Sequence, residues 1–231
     1  MSSGNQPRHS FDKEKICVVI PAYQAQATIR PLVQEICRQG LSVIVIDDAS
    51  TDETSAQARL PGVEIIRRSV NGGKGAALRD GLKKGLEESY EWILTMDADG
   101  QHVPSEIPRF LERAEEGGAD IVIGNRMANP TGMPWDRRLT NRFMSWILSR
   151  MAGQHIPDTQ CGFRLISREV LKTIPLNSDH FEIESELVVK AAKSGFKIAS
   201  VPISSIYLGK TSFIRPIRDT IRFLRFLLTA R

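Results

Sequence analysis

Trp92-Ile93-Leu94-Thr95-Met96-Asp97-Ala98-Asp99-Gly100-Gln101-His102 joins a short apolar run to a turn carrying two carboxylates and a carboxamide. The run Trp92-Ile93-Leu94 is apolar on both faces of an extended chain, the pattern of a strand covered by helices on either side. Further runs of this kind are Ile16-Cys17-Val18-Val19-Ile20, which Pro21 is expected to stop, Val43-Ile44-Val45-Ile46, Val63-Glu64-Ile65-Ile66 and Ile121-Val122-Ile123. Helical periodicity fits between them, at about Thr28–Arg38, Asp52–Arg59, Gly75–Glu88 and Pro104–Glu116. Strands alternating with helices predict one α/β domain around a mainly parallel sheet covered on both faces. Ligands of such sheets bind beyond the carboxyl ends of the strands, where turns and helix N-termini converge.

The polar motifs fall at those ends. Asp97, Asp99 and Gln101 present oxygen donors of the kind that a hard cation such as Mg²⁺ or Mn²⁺ takes, with positions left over for phosphate oxygens. Taken alone, such a pair of aspartates is more often a solvated turn that caps the next helix, and the surrounding motifs are what favour a metal. The second strand ends in Asp47-Asp48-Ala49-Ser50-Thr51-Asp52, where Ser50, Thr51 and Asp52 suit a helix cap and an acid at the strand end suits a ribose or base. Asn71-Gly72-Gly73-Lys74-Gly75-Ala76-Ala77 is a glycine-rich turn leading into a helix, open to an anion but without P-loop spacing. After Gly124 the chain passes through a Pro- and Gly-rich loop, an amphipathic stretch Leu139–Met151 and the polar run Asp158-Thr159-Gln160-Cys161-Gly162-Phe163-Arg164.

Length and composition agree with one globular domain: 231 residues, 41% hydrophobic, are enough for a buried core. No stretch is apolar enough to cross a bilayer, and Met1–Lys15 is too polar for an export signal. Cys17, Cys37 and Cys161 are too scattered for a disulfide framework or a metal cluster, which fits a cytoplasmic protein. The net charge of +4 is small, but basic residues gather at 126–150 and 210–231 with almost no acid, which suggests an anionic partner. Nucleic acid is disfavoured, since these segments lack interleaved stacking aromatics and a recognised motif.

Together and in this order, the motifs resemble the family 2 glycosyltransferases of the GT-A fold, and within them the dolichyl- or polyprenyl-phosphate mannose and glucose synthases. The resemblance is carried by Val19-Ile20-Pro21-Ala22-Tyr23, Ile46-Asp47-Asp48 with Ser50, Asp52 and Thr54, Asn71 with Gly73-Lys74-Gly75-Ala76, Asp97 to His102, Gly124-Asn125-Arg126, and Asp158 to Arg164. It spans about Ile16 to Tyr207. It implies a nucleoside pocket lined by Pro21, Ala22, Tyr23 and Asp48, with Lys74 and Gly75 nearby, and a metal held by Asp97, Asp99 and Gln101 against the donor diphosphate. Where these enzymes commonly follow the tyrosine with Asn and Glu, this chain has Gln24 and Ala25, which removes a carboxylate contact and leaves the base, guanine or uracil, open.

The resemblance thus implies an inverting transfer of glucose or mannose from a UDP- or GDP-sugar to a lipid phosphate. A phosphate acceptor is already ionised near neutrality and needs cations more than a base; Arg126, Arg137 and Arg138 are the candidates, with Asp158 an acceptor-site residue or a loop anchor. A saccharide hydroxyl would instead need a carboxylate base, for which Glu182 and Glu184, opening a helix, are placed. A non-catalytic nucleotide-sugar-binding subunit is the other alternative. His102 reads as a supporting group beside the metal motif. The expected organisation is a flexible leader over 1–14, a catalytic domain over 15–208 and a basic amphipathic helix over 209–231. In that last segment Ile214, Ile217, Ile221, Leu224 and Leu228 share a face beside Arg215, Arg218, Arg222 and Arg225, so it would lie on an anionic membrane surface, or pack on its own domain or on a membrane-anchored partner.

Overall fold

The computed structural model describes residues 12–180 and 182–206; the helix expected over 209–231 and most of the leader lie outside them. The described part of the leader includes Asp12, whose side chain caps a 3-10 turn at Lys13–Lys15. Strands β1 (Ile16–Ala22), β2 (Ser42–Asp47), β3 (Val63–Arg67), β4 (Trp92–Thr95), β5 (Ile121–Asn125), β6 (Arg164–Ser167) and β7 (Ile198–Pro202) form one sheet in the order β3-β2-β1-β4-β6-β5-β7. Its pairings are parallel except those of β6, which runs antiparallel to both β4 and β5. The helices are α1 (Ile29–Arg38), α2 (Thr54–Ala58), α3 (Lys74–Glu87), α4 (Ile107–Glu115), α5 (Trp135–Ala152), α6 (Arg168–Thr173) and α7 (Glu182–Lys193).

All seven residues of β1 are buried, as expected of a central strand with helices on both sides. Pro21 does not stop it: the strand runs on to Ala22, paired with Asp47. Val19 and, by alternation, Pro21 turn their backbone groups toward β4, and the β1–β4 ladder ends at Val19–Thr95. The missing proline N–H therefore falls where no neighbouring strand asks for it. Helix α3 lies directly on β1. A Cβ on Gly81 would stand 2.3 Å from Val19 Cγ1, so that approach depends on the absence of a side chain.

Several boundaries shift from the periodic reading for local reasons. Asp52 bonds Thr54 N and Oγ1, so α2 begins at Thr54 rather than at Asp52. Pro104–Glu106 is a 3-10 turn that precedes α4. Helix α5 begins at Trp135, directly after Pro134, rather than at Leu139. Strands β6 and β7 were not visible as apolar runs. The first is four residues headed by a charged one, and the second is a half-buried edge strand, entered where the Lys197 amide bonds Asp120 Oδ2 and begun by Ile198, whose amide bonds Gln154 Oε1.

Candidate active site

The carboxyl ends of β2, β1, β4 and β5 meet the amino end of β6 along one rim of the sheet. At the β2 end, Asp47 accepts the Ser50 amide at 2.8 Å and the Ser55 hydroxyl. Asp48 is buried and accepts the amides of Gly72 at 2.9 Å and Gly73 at 2.8 Å, together with Arg68 Nη1 at 2.6 Å. Both oxygens of Asp48, expected to line the nucleoside pocket, are thus engaged in shaping the glycine turn. Pro21 and Ala22 are buried beside it and Tyr23 stands partly exposed on the rim. Gln24, in the position where a carboxylate-bearing motif begins in the resembling enzymes, adopts a φ of 52°. Its amide bonds Ser50 Oγ and its side chain bonds Thr51, tying the β1 turn to the β2 turn.

Lys74, at the start of α3, places Nζ 2.6 Å from Asp97 Oδ1 and 2.8 Å from Glu184 Oε1. Burial opposes its charge, but Asp97 and then Glu184 outweigh that and push its pKa up. Burial also opposes ionisation of Asp97, and the Lys74 ammonium, helped by Arg126, nevertheless holds that carboxyl down at about 2. Gly162 fits against the pair: a Cβ there would lie 2.7 Å from Asp97 Oδ2 and 2.9 Å from Glu184 Oε1. His102 is buried, accepts the Asp97 amide on Nδ1 at 3.2 Å and packs on Phe163, and burial pushes its pKa down. It supports the turn, in line with the sequence expectation. Gly75 lies under the 179–180 segment, where Asp179 O accepts the Ala76 amide.

The residues expected to hold a metal fit one by their chemistry. Asp97 is kept ionised, Asp99 is exposed with Oδ1 on the Gln101 amide, and Gln101 adds a carboxamide to the same turn. Among the described residues no group of three or more His, Cys, Asp or Glu side chains gathers to hold an ion. Two carboxylates and an amide would leave most of a hard cation's coordination to other oxygens, as suits a Mg²⁺ or Mn²⁺ shared with a diphosphate.

On the far side of β4, Arg126 grips the buried Asp158 with two nitrogens, Nε at 2.8 Å and Nη2 at 3.0 Å, and its own amide approaches the same carboxylate at 3.2 Å. Asp158 therefore anchors Arg126 at the rim. Arg164, given no role by the sequence reading, is buried and donates to the carbonyls of Cys161, Thr159 and Glu184 at 2.8, 2.8 and 2.6 Å. It fastens the 158–163 loop to the start of α7; burial lowers its pKa. Arg68, also missed, joins Asp48 to Asp80, and nothing in its local sequence distinguishes it. Arg137 and Arg138 lie on the first turns of α5, and neither is paired with Asp97, Asp99, Arg126 or Asp158. Glu182 opens α7, but it is the next acid along, Glu184, that turns inward.

Comparison with known proteins agrees with this arrangement. The model of "Glycosyl transferase family 2" matches residues 17–174. The polyprenol monophosphomannose synthase of Mycolicibacterium smegmatis is 31% identical over 87% of this chain and 81% of its own. The UDP-N-acetylglucosamine–dolichyl-phosphate N-acetylglucosaminyltransferase of Methanococcus voltae is 30% identical over 83% of this chain and 86% of its own. Among solved structures, glucosyl-3-phosphoglycerate synthase from Mycobacterium tuberculosis, in complex with Mn²⁺, UDP and glucosyl-3-phosphoglycerate, superposes with a TM-score of 0.69 at 22% identity, covering 93% of this chain and 77% of that one. That likeness extends the GT-A type fold to this sheet. From its motifs, its sheet and these relatives alike, the chain belongs to glycosyl transferase family 2.

Proposed function

We propose that this protein transfers a hexose from a nucleoside diphosphate sugar to a polyprenyl phosphate at a membrane surface, with inversion at the anomeric carbon. The observation that carries the reading is the state of the carboxylates at the rim. Asp97 and Glu184 share the Lys74 ammonium, Asp158 is clamped by Arg126, and Asp48 is held by two amides and Arg68. A hydroxyl acceptor would require one of them to take a proton, and each of these four acids faces a cation instead. A phosphate monoester has no such need, since its oxygen is already a nucleophile at neutral pH. The relatives named for polyprenol and dolichyl phosphate support the same choice.

In this reading Pro21, Ala22, Tyr23 and the glycine turn set by Asp48 receive the nucleoside, with Gly75 beneath the 179–180 segment behind it. Asp97, Asp99 and Gln101 hold Mg²⁺ or Mn²⁺, which when bound offsets the charge of the diphosphate. An oxygen of the acceptor phosphate attacks the anomeric carbon as the bond from that carbon to the diphosphate oxygen breaks, and the electron pair leaves with the nucleoside diphosphate. Lys74 lies next to where that charge grows and Arg126 next to the incoming phosphate, so the two cations orient the opposed anions. Arg137 and Arg138 serve the acceptor only from farther out along α5.

The test is transfer of radiolabel from UDP-glucose, GDP-mannose and UDP-N-acetylglucosamine, each separately, into organic-extractable lipid, with polyprenyl phosphate, Mn²⁺ and an Asp99→Asn control. Label in lipid from one donor, lost in the control, is expected and names the sugar. Label only in a saccharide acceptor, abolished by Glu184→Gln, would overturn the lipid-phosphate reading in favour of a hydroxyl acceptor. Nucleotide-sugar binding without transfer would point to a binding subunit.

A further inference from the structure

Helix α5 is apolar on two opposite faces. Its inner face, Ser145, Leu148 and Ala152, is buried; Leu148 packs with Val189 of α7, and Ser145 bonds Thr159. Its outer face carries Trp135, Leu139, Phe143 and Trp146, which are 79%, 64%, 61% and 56% exposed. These four recur at helical spacing over about 17 Å of axis. Arg138, Arg142 and Arg150 are exposed and fall within the same arc, about 140° wide. The Phe143 and Trp146 rings stack at 6.2 Å and the Arg150 guanidinium sits 5.3 Å over Trp146, so aromatic and cationic groups form one surface.

We infer that this outer face of α5 docks on an anionic lipid surface, a contact that rests on the lipid-acceptor reading and supplies its geometry. Charge selects the occupant. Asp136 is the one acid on the helix, against four arginines. A second copy meeting it face to face would bring these arginines together. By sequence, residues 207–231 carry Lys210, Arg215, Arg218, Arg222, Arg225 and Arg231 against Asp219 alone, so like charge would oppose that segment's binding to the same face. A bilayer with acidic headgroups accepts both halves of the surface: tryptophan rings and aliphatic side chains at the headgroup–acyl boundary, guanidinium groups among the phosphates. The helix that makes this contact is hydrogen-bonded through Ser145 to the loop bearing Asp158, the residue that holds Arg126. Docking there would set the acceptor side of the rim next to the bilayer.

The experiment uses the full-length protein and sucrose-loaded vesicles of phosphatidylcholine, with and without phosphatidylglycerol and without any polyprenyl phosphate. Cosedimentation with the acidic vesicles is expected, weakened by salt. Brominated acyl chains should quench tryptophan emission, and the quenching should vanish in Trp135→Phe/Trp146→Phe, which keeps only Trp92. Leu139→Glu/Phe143→Glu should lower partition by more than about tenfold, and Arg142→Gln/Arg150→Gln by about fivefold for each arginine, with Tm and nucleotide-sugar binding unchanged. Undiminished partition in both double variants, partition lost only on Arg218→Gln/Arg222→Gln, or a wild-type dimer that Leu139→Glu/Phe143→Glu dissociates would each overturn the inference. Transfer to detergent-dispersed polyprenyl phosphate, measured on the same proteins, separates the two readings. Loss of vesicle binding with this transfer intact supports docking by α5, and vesicle binding without transfer counts against the proposed reaction alone.

Discussion

Along the β3-β2-β1 side of the rim the anionic groups are held mostly by backbone amides of the adjoining turns, with Arg68 adding one bond to Asp48, and along the β4-β6-β5 side they are held by cations from other elements. Asp47 and Asp48 take the amides of Ser50, Gly72 and Gly73. Across β4, by contrast, Lys74 reaches Glu184, 110 residues on, and Arg126 reaches Asp158, 32 residues on. A carboxylate engaged by amides is compensated in place and has little to offer an arriving charge. The Lys74 ammonium, shared between Asp97 and Glu184, can redistribute its bonds when a phosphate competes for it. The first side therefore works as a fixed mould, and the second as the part of the rim that can answer a charged substrate.

That contrast is broken most severely at Lys74. Lys74→Met leaves Asp97 and the buried Glu184 facing each other across Gly162, and both transfer and stability should suffer: about 10³-fold in kcat and about 3–5 kcal/mol in urea unfolding. Adding Glu184→Gln should restore part of the stability but little of the transfer. Next comes Arg164→Met, which takes the side-chain donor away from three buried carbonyls and leaves those of Thr159 and Cys161 poorly compensated; it should cost about 3 kcal/mol, or on the order of 10 °C in Tm by calorimetry.

Steady-state kinetics sharpen the comparison further. Asp158→Asn, which loosens Arg126, should raise the KM for the lipid phosphate about tenfold and leave that for the donor alone, whereas Asp48→Asn should do the reverse. Equal effects of either variant on both substrates would erase the distinction between the two sides.

The smallest effect is expected at Glu186, which holds the 177–178 segment ahead of the 179–180 contact with α3. Burial opposes its ionisation, but the Lys190 ammonium and the Ser178 and Asn177 amides outweigh burial and lower its pKa. Its folded-state value lies below the unfolded value of about 4.3, so the stability it contributes is present above that pH and is lost as pH falls through the folded value. Glu186→Gln should therefore lower Tm at neutral pH, by about 1 kcal/mol of stability, and the gap from wild type should close in acid below pH ~4.

How much of this was legible followed the same division. Asp48, Lys74, Asp97 and Asp99 each lie within a few residues of the apolar run or glycine turn that places them, so periodicity and turn chemistry were enough to bring them to one rim. The partnership of Lys74 with Glu184 was not legible, because no pattern near either residue specifies a contact across 110 positions. Arg164 was hidden for a related reason: a charged residue ahead of a short apolar tract reads as solvated, and only the three converging carbonyls make its burial tolerable. The contact of α3 with the 179–180 segment is made by a backbone carbonyl, which any sequence possesses.

The reversed β6 turns α5 and its loops into a closed detour. The chain leaves the sheet at the end of β5 and returns through residues 158–163 to a strand paired with the one it left, with Gly124 N bonded to Phe163 O at 2.9 Å where the path closes. Insertions, deletions and drift within that detour need not displace any residue of the β1–β4 frame. On the proposed reading, descent with modification could thus rewrite what the protein delivers its sugar to, and which surface it stands on, while inheriting the donor side intact.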